Sequence, residues 1–141
     1  MVELRDFQFD LDYEPALLLW KNAGKGIGIG PSDQPEEIQK KLQHDNDLFL
    51  VAHDNGRLVG TVIGGFDGRR GMIYHLAVDN YYQNHGLGSR LMQEIENRLK
   101  AKGCLKAYLL IKNENTSVSD FYLAQGWYEM TDVHLFGKTL K

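Results

Sequence analysis

The chain has 141 residues, of which 43% are hydrophobic and 25% charged, so we expect one globular domain over residues 1–141. The formal net charge of −3 lacks the large basic excess typical of nucleic-acid-binding proteins, and we expect no nucleic-acid partner. The chain has a single cysteine, so no intrachain disulfide is predicted. Its amino terminus is acidic, and no apolar run approaches the ~20 residues of a membrane helix. We therefore expect a cytoplasmic protein without membrane contact.

The first third of the sequence predicts one strand and two helices. We place them at Val2–Phe9, Tyr13–Asn22 and Pro35–His44. Pro15 lies in the first turn of the first helix, and Ser32 or Asp33 caps the second. The glycine-rich stretch Gly24–Pro31 between the helices predicts a mobile loop. It is not a Walker phosphate loop, since no Lys-Ser/Thr pair follows it.

The middle of the sequence predicts three strands and a long helix. The strands are placed at Leu48–His53, Leu58–Gly65 and Met72–Val78. The pair Asn55-Gly56 between the first two strands is a strong signal for a tight hairpin. The helix opens within Tyr81–Ser89 and carries an apolar residue at every fourth position from Leu87 to Leu99.

The last third predicts a strand, a helix and a terminal pair of strands. We place them at Leu105–Ile111, Ser117–Gln125, Tyr128–Met130 and Val133–Thr139. The nearly continuous apolar composition of Leu105–Ile111 is typical of a strand covered on both faces. A strand–helix–strand unit around the long helix implies a right-handed crossover between parallel strands, whereas the hairpin implies antiparallel neighbours. The predicted fold class is therefore α/β, with a mixed, twisted sheet.

The segment Gln83–Arg90 joins an apolar strand to the long helix and predicts an anion site. The first backbone amides of a helix have no internal partner, and its dipole favours negative charge there. Gly86 and Gly88 would let a phosphate oxygen approach these amides closely. Ser89 adds a hydroxyl and Arg90 a counter-charge. The segment therefore predicts a pyrophosphate site, with a simple tight turn as the alternative.

Two other kinds of ligand site are not supported by the sequence. A dinucleotide-binding fingerprint needs a third glycine where the sequence has Leu91, and an acid where the next strand ends in Leu110-Ile111-Lys112. No metal site is predicted, because His44, His53 and His85 have no ligand partner at metal-binding spacing.

Two motifs resemble those of a known enzyme family. The stretch Leu76–Leu91, LAVDNYYQNHGLGSRL, resembles motif A of the GCN5-related N-acetyltransferase (GNAT) superfamily, which reads Gln/Arg-x-x-Gly-x-Gly/Ala after a strand. Downstream, Asn115 and the run Phe121–Trp127, FYLAQGW, are similar to the family's Asn followed by Leu-Tyr-x-x-x-Gly-Phe. The order of predicted elements also agrees over nearly the whole chain. One departure is Gln83-Asn84, where many relatives have Arg-Gly, so we expect one phosphate contact to differ.

The resemblance implies the GNAT fold and acetyl-CoA as the co-substrate. This fold has a central, twisted, mostly antiparallel sheet, and here its splayed parallel pair would be Met72–Val78 and Leu105–Ile111. The backbone of Leu76, Ala77 and Val78 would run beside the pantetheine arm, and Asn115 would also contact the coenzyme. The residues implied to hold the pyrophosphate are Gln83, Asn84, His85, Gly86, Leu87, Gly88, Ser89 and Arg90.

The resemblance also implies Tyr122 as the general acid. A phenol with a reference pKa near 10 is protonated at neutral pH and can protonate the departing thiolate. The position of Tyr122 on a helix, taken alone, favours a tyrosine that only packs against its neighbours. The surrounding motif favours the general acid. For the base we assign His75, on the strand that lines the cleft, with Glu114 as a second candidate, either of them acting through a water. A structural role for His75 is the alternative.

The function that follows is transfer of acetyl from acetyl-CoA to a primary amine of a small molecule or a peptide amino terminus, by direct attack. The alternative is a non-catalytic acyl-CoA-binding or sensing module of the same fold. In this family the two early helices and the Gly24–Pro31 loop cover the open end of the cleft, so we expect acceptor specificity there. The terminal strands and the tail Lys138–Lys141 predict pairing with a second copy in a homodimer.

Overall fold

The structure, a computed structural model, describes residues 1–23 and 27–141, and of residues 114–116 only the backbone. Its strands are β1 (Val2–Asp6), β2 (Phe49–Asp54), β3 (Arg57–Phe66), β4 (Gly71–Val78) and β5 (Ala107–Leu109). Its helices are α1 (Phe9–Lys21), α2 (Pro35–His44), α3 (Leu87–Ala101) and α4 (Ser119–Leu123). Short 3₁₀ turns lie at Pro31–Asp33, Asn80–Tyr82 and Asn113–Val118. None of the described helices is long and apolar enough to span a membrane.

The described strands form one sheet in the order β1-β2-β3-β4-β5. The first four are antiparallel neighbours, and β5 runs parallel to β4 after the crossover through α3. The predicted mixed, mostly antiparallel sheet with one parallel pair is therefore confirmed. The parallel pairing covers only Gly71–Ile73 against Ala107–Leu109, and β4 continues beyond it to Val78.

Buried apolar side chains form one cluster on each face of the sheet. The α3 face contains the predicted four-residue stripe, in which Leu87, Leu91, Ile95 and Leu99 are all buried. On the other face α1 and α2 contribute Trp20 and Ile38, which pack against strand residues of β2, β3 and β4. The hairpin between β2 and β3 turns at Asn55 (φ 50°) and Gly56 (φ 83°), as the sequence predicts.

Helix α1 begins four residues before the predicted start, at Phe9, so the prediction that Pro15 lies in the first turn is wrong. The buried carboxylate of Asp12 explains the earlier start. It accepts hydrogen bonds from the Arg5 guanidinium at 2.6 and 2.9 Å and from the Gln8 backbone N–H at 2.7 Å. These contacts satisfy a donor at the helix start and tie it to β1.

The carboxyl-terminal part of the sheet differs from the prediction. The predicted strand Leu105–Ile111 contracts to the three residues of β5. It is not covered on both faces, because all three residues are only partly buried, and Leu105 before the strand is 95% exposed. The predicted strands Tyr128–Met130 and Val133–Thr139 are wrong, since neither segment is a strand in the structure. An apolar pattern suits a sheet but forms a strand only where a neighbouring backbone offers hydrogen bonds, and no described residue pairs with the outer edge of β5.

The substitution Gly64→Ala tests how closely α3 approaches the sheet. An added Cβ would lie 2.9 Å from Cγ1 of the fully buried Ile95, so we expect a loss of about 1–3 kcal/mol in the free energy of unfolding. Chemical denaturation measures it. Gly137→Ala is the matched control, because nothing lies within 4 Å of its Cβ position. Equal stabilities for the two variants would contradict this packing.

Candidate active site

A β-bulge interrupts β4 between the parallel pair and the predicted coenzyme-binding residues. The register of β4 against β3 shifts between Thr61 and Ile63. Ile73 packs in the α3 cluster and Ala77 in the cluster of the opposite face, so one extra residue lies between them. His75, with a left-handed φ of 48°, is that residue. The bulge thus lies just beyond the point where β4 stops pairing with β5.

A cavity of about 230 Å³ lies where the two strands part. Its lining residues come from the segment after α1, β4, the loop before α3, the segment between β5 and α4, and α4. They are Ala23, Ile27, Leu76, Ala77, Val78, Gln83, Leu110, Ile111, Val118 and Tyr122. The fold therefore brings the predicted residues Leu76–Val78, Gln83 and Tyr122 to one cavity.

The amino terminus of α3 presents unpaired backbone donors. Gly86, with a left-handed φ of 82°, precedes the first helical residue, and its carbonyl accepts the first helical hydrogen bond, from Arg90 N–H at 3.1 Å. The N–H groups of residues 86–89 therefore have no partner within the helix. These donors lie at the positive end of a 15-residue helix, an arrangement that suits a phosphate.

Most side chains of this segment point to protein partners or to solvent. Gln83 Nε2 donates to the Val78 carbonyl at 3.0 Å, and Ser89 Oγ accepts from Gln125 Nε2 at 3.2 Å. The Leu87 side chain is buried in the core. Asn84, with a φ of 66°, and His85 are exposed. The donors available to an anion here are therefore chiefly backbone amides.

The Arg90 side chain, predicted as a counter-charge for the pyrophosphate, contacts β1 in the structure. Its guanidinium donates to the Val2 carbonyl at 3.3 and 3.4 Å. Val2 belongs to β1, which is at the opposite edge of the sheet from β5. In the structure the positive charge of Arg90 is thus directed to β1, and only its backbone belongs to the start of α3.

Gly88 lies close to the side chains of α4. A Cβ at this position would lie 3.2 Å from Cζ of Phe121 and 3.9 Å from Cγ2 of Val78. The sequence predicted that this glycine allows a phosphate to approach, but did not predict the contact with Phe121. Phe121 in turn packs against the ring of Tyr122, so Gly88 and the candidate acid have a common neighbour.

Tyr122 is held by aromatic neighbours at the cavity wall. Its ring packs edge-on against Phe121 at 5.0 Å and against Trp127 at 6.4 Å between centroids. Burial raises the pKa of the Tyr122 phenol above its usual value, because the ionised form would lose solvation. The phenol therefore keeps its proton throughout the neutral range and is able to donate it.

His75 lies on the α1 side of the sheet, next to the cavity residue Leu76. Its Nε2 is 2.8 Å from Oδ1 of Asp33, a residue that is 4% exposed. The Trp20 ring packs against the imidazole in an edge-to-face arrangement, with 4.6 Å between ring centroids. The Thr61 hydroxyl donates to the His75 carbonyl at 2.8 Å. The candidate base is thus fixed on several sides.

Asp33 is a residue that the sequence analysis assigned wrongly. It was expected to cap α2, with Ser32 as the alternative, but the N-cap is Gln34, which forms no side-chain capping bond. Asp33 pairs instead with a histidine 42 residues away, a contact that no local spacing indicates.

Some predicted features lie outside the described residues. They include the side chains of Asn115 and Glu114 and residues 24–26 of the glycine-rich loop. The flanking residues Ala23 and Ile27 both line the cavity. Among the described side chains, no three His, Cys, Asp or Glu residues come together as metal ligands.

Known proteins resemble this chain in both sequence and structure. The sequence model of the Acetyltransferase (GNAT) family matches residues 9–127. A Yersinia pestis protein named as an N-acetyltransferase is 39% identical over 140 residues, which cover 99% of this chain and 96% of the relative. An acetyltransferase of Sodalis glossinidius is 40% identical over 141 residues, with the same coverage. The solved PaiA N-acetyltransferase of Thermoplasma acidophilum, in complex with coenzyme A, has a TM-score of 0.80 at 19% identity, covering 95% of this chain and 93% of its own.

The substitution Gly88→Val tests whether the start of α3 and α4 form one ligand site. A branched side chain would displace Phe121 and crowd the unpaired amides, so we expect acetyl-CoA to bind about tenfold or more weakly. Isothermal titration calorimetry measures the affinity, and circular dichroism monitors the fold. Gly137→Val, at an open position, is the control and should bind like wild type. An unchanged affinity for acetyl-CoA in folded Gly88→Val would rule out a coenzyme site at the start of α3.

Proposed function

This chain belongs to the Acetyltransferase (GNAT) family, and we propose that it transfers the acetyl group of acetyl-CoA to a primary amine of a small molecule or a peptide amino terminus. One observation carries the proposal: the end of β4, Gln83 and Tyr122 line a single cavity. Gln83 also shortly precedes residues 86–89 in the chain, whose backbone N–H groups have no partner within α3. Acetyl-CoA, the co-substrate of this family, requires a surface for its amide-containing arm, an anion site for its pyrophosphate and an acid near its sulfur.

The free edge of β4 supports the placement of the pantetheine arm. Beyond Ile73 no described strand pairs with this edge, so its backbone groups need other partners, apart from the Val78 carbonyl, which accepts from Gln83 Nε2. An arm that carries amides satisfies them as an added strand would. We therefore assign the backbone of Leu76–Val78 to the arm and the N–H groups of residues 86–89 to the pyrophosphate. No overall positive field is needed, which agrees with the net charge of −3.

The proposed reaction is a direct attack. The neutral amine adds to the thioester carbonyl, forming a C–N bond and a tetrahedral intermediate, and collapse of this intermediate breaks the C–S bond. The departing sulfur takes the phenol proton of Tyr122, and a proton released from the amine nitrogen restores the phenol through solvent. The backbone N–H of Leu76, which lines the cavity, is our candidate donor to the developing oxyanion.

His75 is our candidate for removing the proton of the incoming ammonium. An unperturbed amine has a pKa of about 8 for an α-amine and about 10.4 for a lysine, so most of it is protonated at neutral pH. The bulge places His75 next to Leu76, on the side where α1 and the turn 31–33 meet the sheet. This is also the side on which the acceptor is expected.

A panel of amines tests the function itself. Small primary amines, amino acids and peptides with free amino termini are incubated with acetyl-CoA, and the release of free thiol is measured. Transfer to at least one amine, with mass spectrometry showing the N-acetyl product, is the expected result. Binding of acetyl-CoA without transfer to any amine would instead identify a non-catalytic acyl-CoA-binding module.

The substitution Tyr122→Phe should separate chemistry from binding. It removes one hydroxyl and keeps the ring packed on Phe121 and Trp127, so we expect kcat to fall by about 10²–10⁴ with little change in acetyl-CoA affinity. The deficit should shrink for an acyl donor with a more acidic thiol, because that leaving group needs less protonation. Tyr128→Phe, at an exposed tyrosine, is the control. A wild-type kcat in Tyr122→Phe, with chemistry limiting, would exclude the acid role.

A further inference from the structure

We propose that Asp33 is a positioning residue for His75. On this proposal, which rests on the acetyl transfer proposed above, Asp33 holds the imidazole in the tautomer that carries its proton on Nε2. Nδ1 is then left to accept a proton from the acceptor amine, directly or through one water.

Asp33 is itself held rigidly. Its Oδ1 contacts His75 Nε2 at 2.8 Å, and its Oδ2 accepts the Gly30 N–H at 3.0 Å. Its backbone carbonyl accepts the Tyr13 hydroxyl at 2.8 Å. Its side chain is 5% exposed, so water provides little competition for these contacts. A carboxylate fixed in this way presents one oxygen to the imidazole in a single geometry.

The chemistry of the pair determines the tautomer. An ionised carboxylate only accepts hydrogen bonds, so the Nε2 that faces it must donate. In the neutral imidazole the lone pair then lies on Nδ1. No described residue hydrogen-bonds to Nδ1, and the His75 side chain remains 18% exposed. The nitrogen that faces away from Asp33 is therefore the one available as a base.

The backbone at His75 supports a functional role for the pair. A left-handed φ is uncommon for a residue other than glycine, and such conformations concentrate at functional sites. Here the bulge turns the imidazole towards Trp20 and Asp33. The next residue, Leu76, already lines the cavity.

One proton passes through His75 in each turnover. The ammonium of the acceptor loses one proton to His75 Nδ1, which gives a neutral amine and an imidazolium beside the Asp33 carboxylate. The amine attacks the thioester as described above, and His75 returns its proton to solvent before the next turnover. The negative charge of Asp33 stabilises the imidazolium while it exists.

The tautomer can be measured in the wild-type protein without any acceptor. Long-range ¹⁵N–¹H correlation spectra of ¹⁵N-labelled protein, at a pH where His75 is neutral, should show the proton on Nε2. His75→Asn identifies the signals by their loss, and asparagine is chosen because it tolerates a left-handed φ. A proton on Nδ1 in the wild type would overturn the proposal, whether or not any variant folds.

The substitution Asp33→Asn should reverse the tautomer. The asparagine amide can accept from Gly30 N–H and donate to His75 Nε2, which moves the imidazole proton to Nδ1 and removes the base. We expect kcat to fall by about 10²–10⁴, with an unchanged KM for acetyl-CoA. The deficit should shrink for an acceptor amine that is already neutral at the assay pH. A merely structural pair would not produce this dependence on the acceptor.

Asp12→Asn is the matched control, because Asp12 is an equally buried acid that contacts Arg5 and Gln8 and not His75. It should lower Tm and leave kcat unchanged. A wild-type kcat in Asp33→Asn, or the same His75 tautomer in the wild type and in Asp33→Asn, would overturn the role of Asp33 and leave the proposed function standing. No transfer by the wild-type protein to any amine would instead refute the proposed function, and this role with it.

Discussion

The end of the β4–β5 pairing at Ile73 is the constraint on which the arrangement of the site depends. Backbone N–H and C=O groups in a protein interior need hydrogen-bond partners, and β4 continues to Val78 without a neighbour on its β5 side. The sheet thus opens a cleft without any loop insertion. The cavity and the Tyr122 side chain lie along this free edge, and the start of α3 approaches it at Gly88, whose Cβ position is 3.9 Å from Val78 Cγ2.

The bulge at His75 links the two sides of the site. Without the extra residue, the alternation of β4 side chains would continue unchanged from Ile73 through Ala77. With it, Leu76 and Val78 return to the α3 side, while His75 faces Trp20 and the turn that carries Asp33. One irregularity in one strand thus places the backbone proposed to bind the coenzyme next to the candidate base.

Local patterns in the sequence predicted much of the fold and several of the residues that line the cavity. The stripe from Leu87 to Leu99, the turn at Asn55-Gly56 and the glycine-containing start of α3 depend on short-range spacing, and the structure has all three. Long-range contacts were not predictable in this way. The pairing of Asp33 with His75 and the orientation of Arg90 depend on which elements the fold brings together. The predicted terminal strands failed for the same reason, since strand formation depends on a neighbouring backbone.

We propose that the free edge of β4 and the start of α3 together bind acetyl-CoA. Titration of the ¹⁵N-labelled protein with coenzyme A, followed by backbone amide chemical shifts, tests it most directly. Saturable shifts should concentrate at residues 76–78 and 86–89, with smaller changes around Tyr122. Shifts confined to other parts of the surface, or binding that leaves the amides of residues 86–89 unaffected, would contradict this placement of the coenzyme.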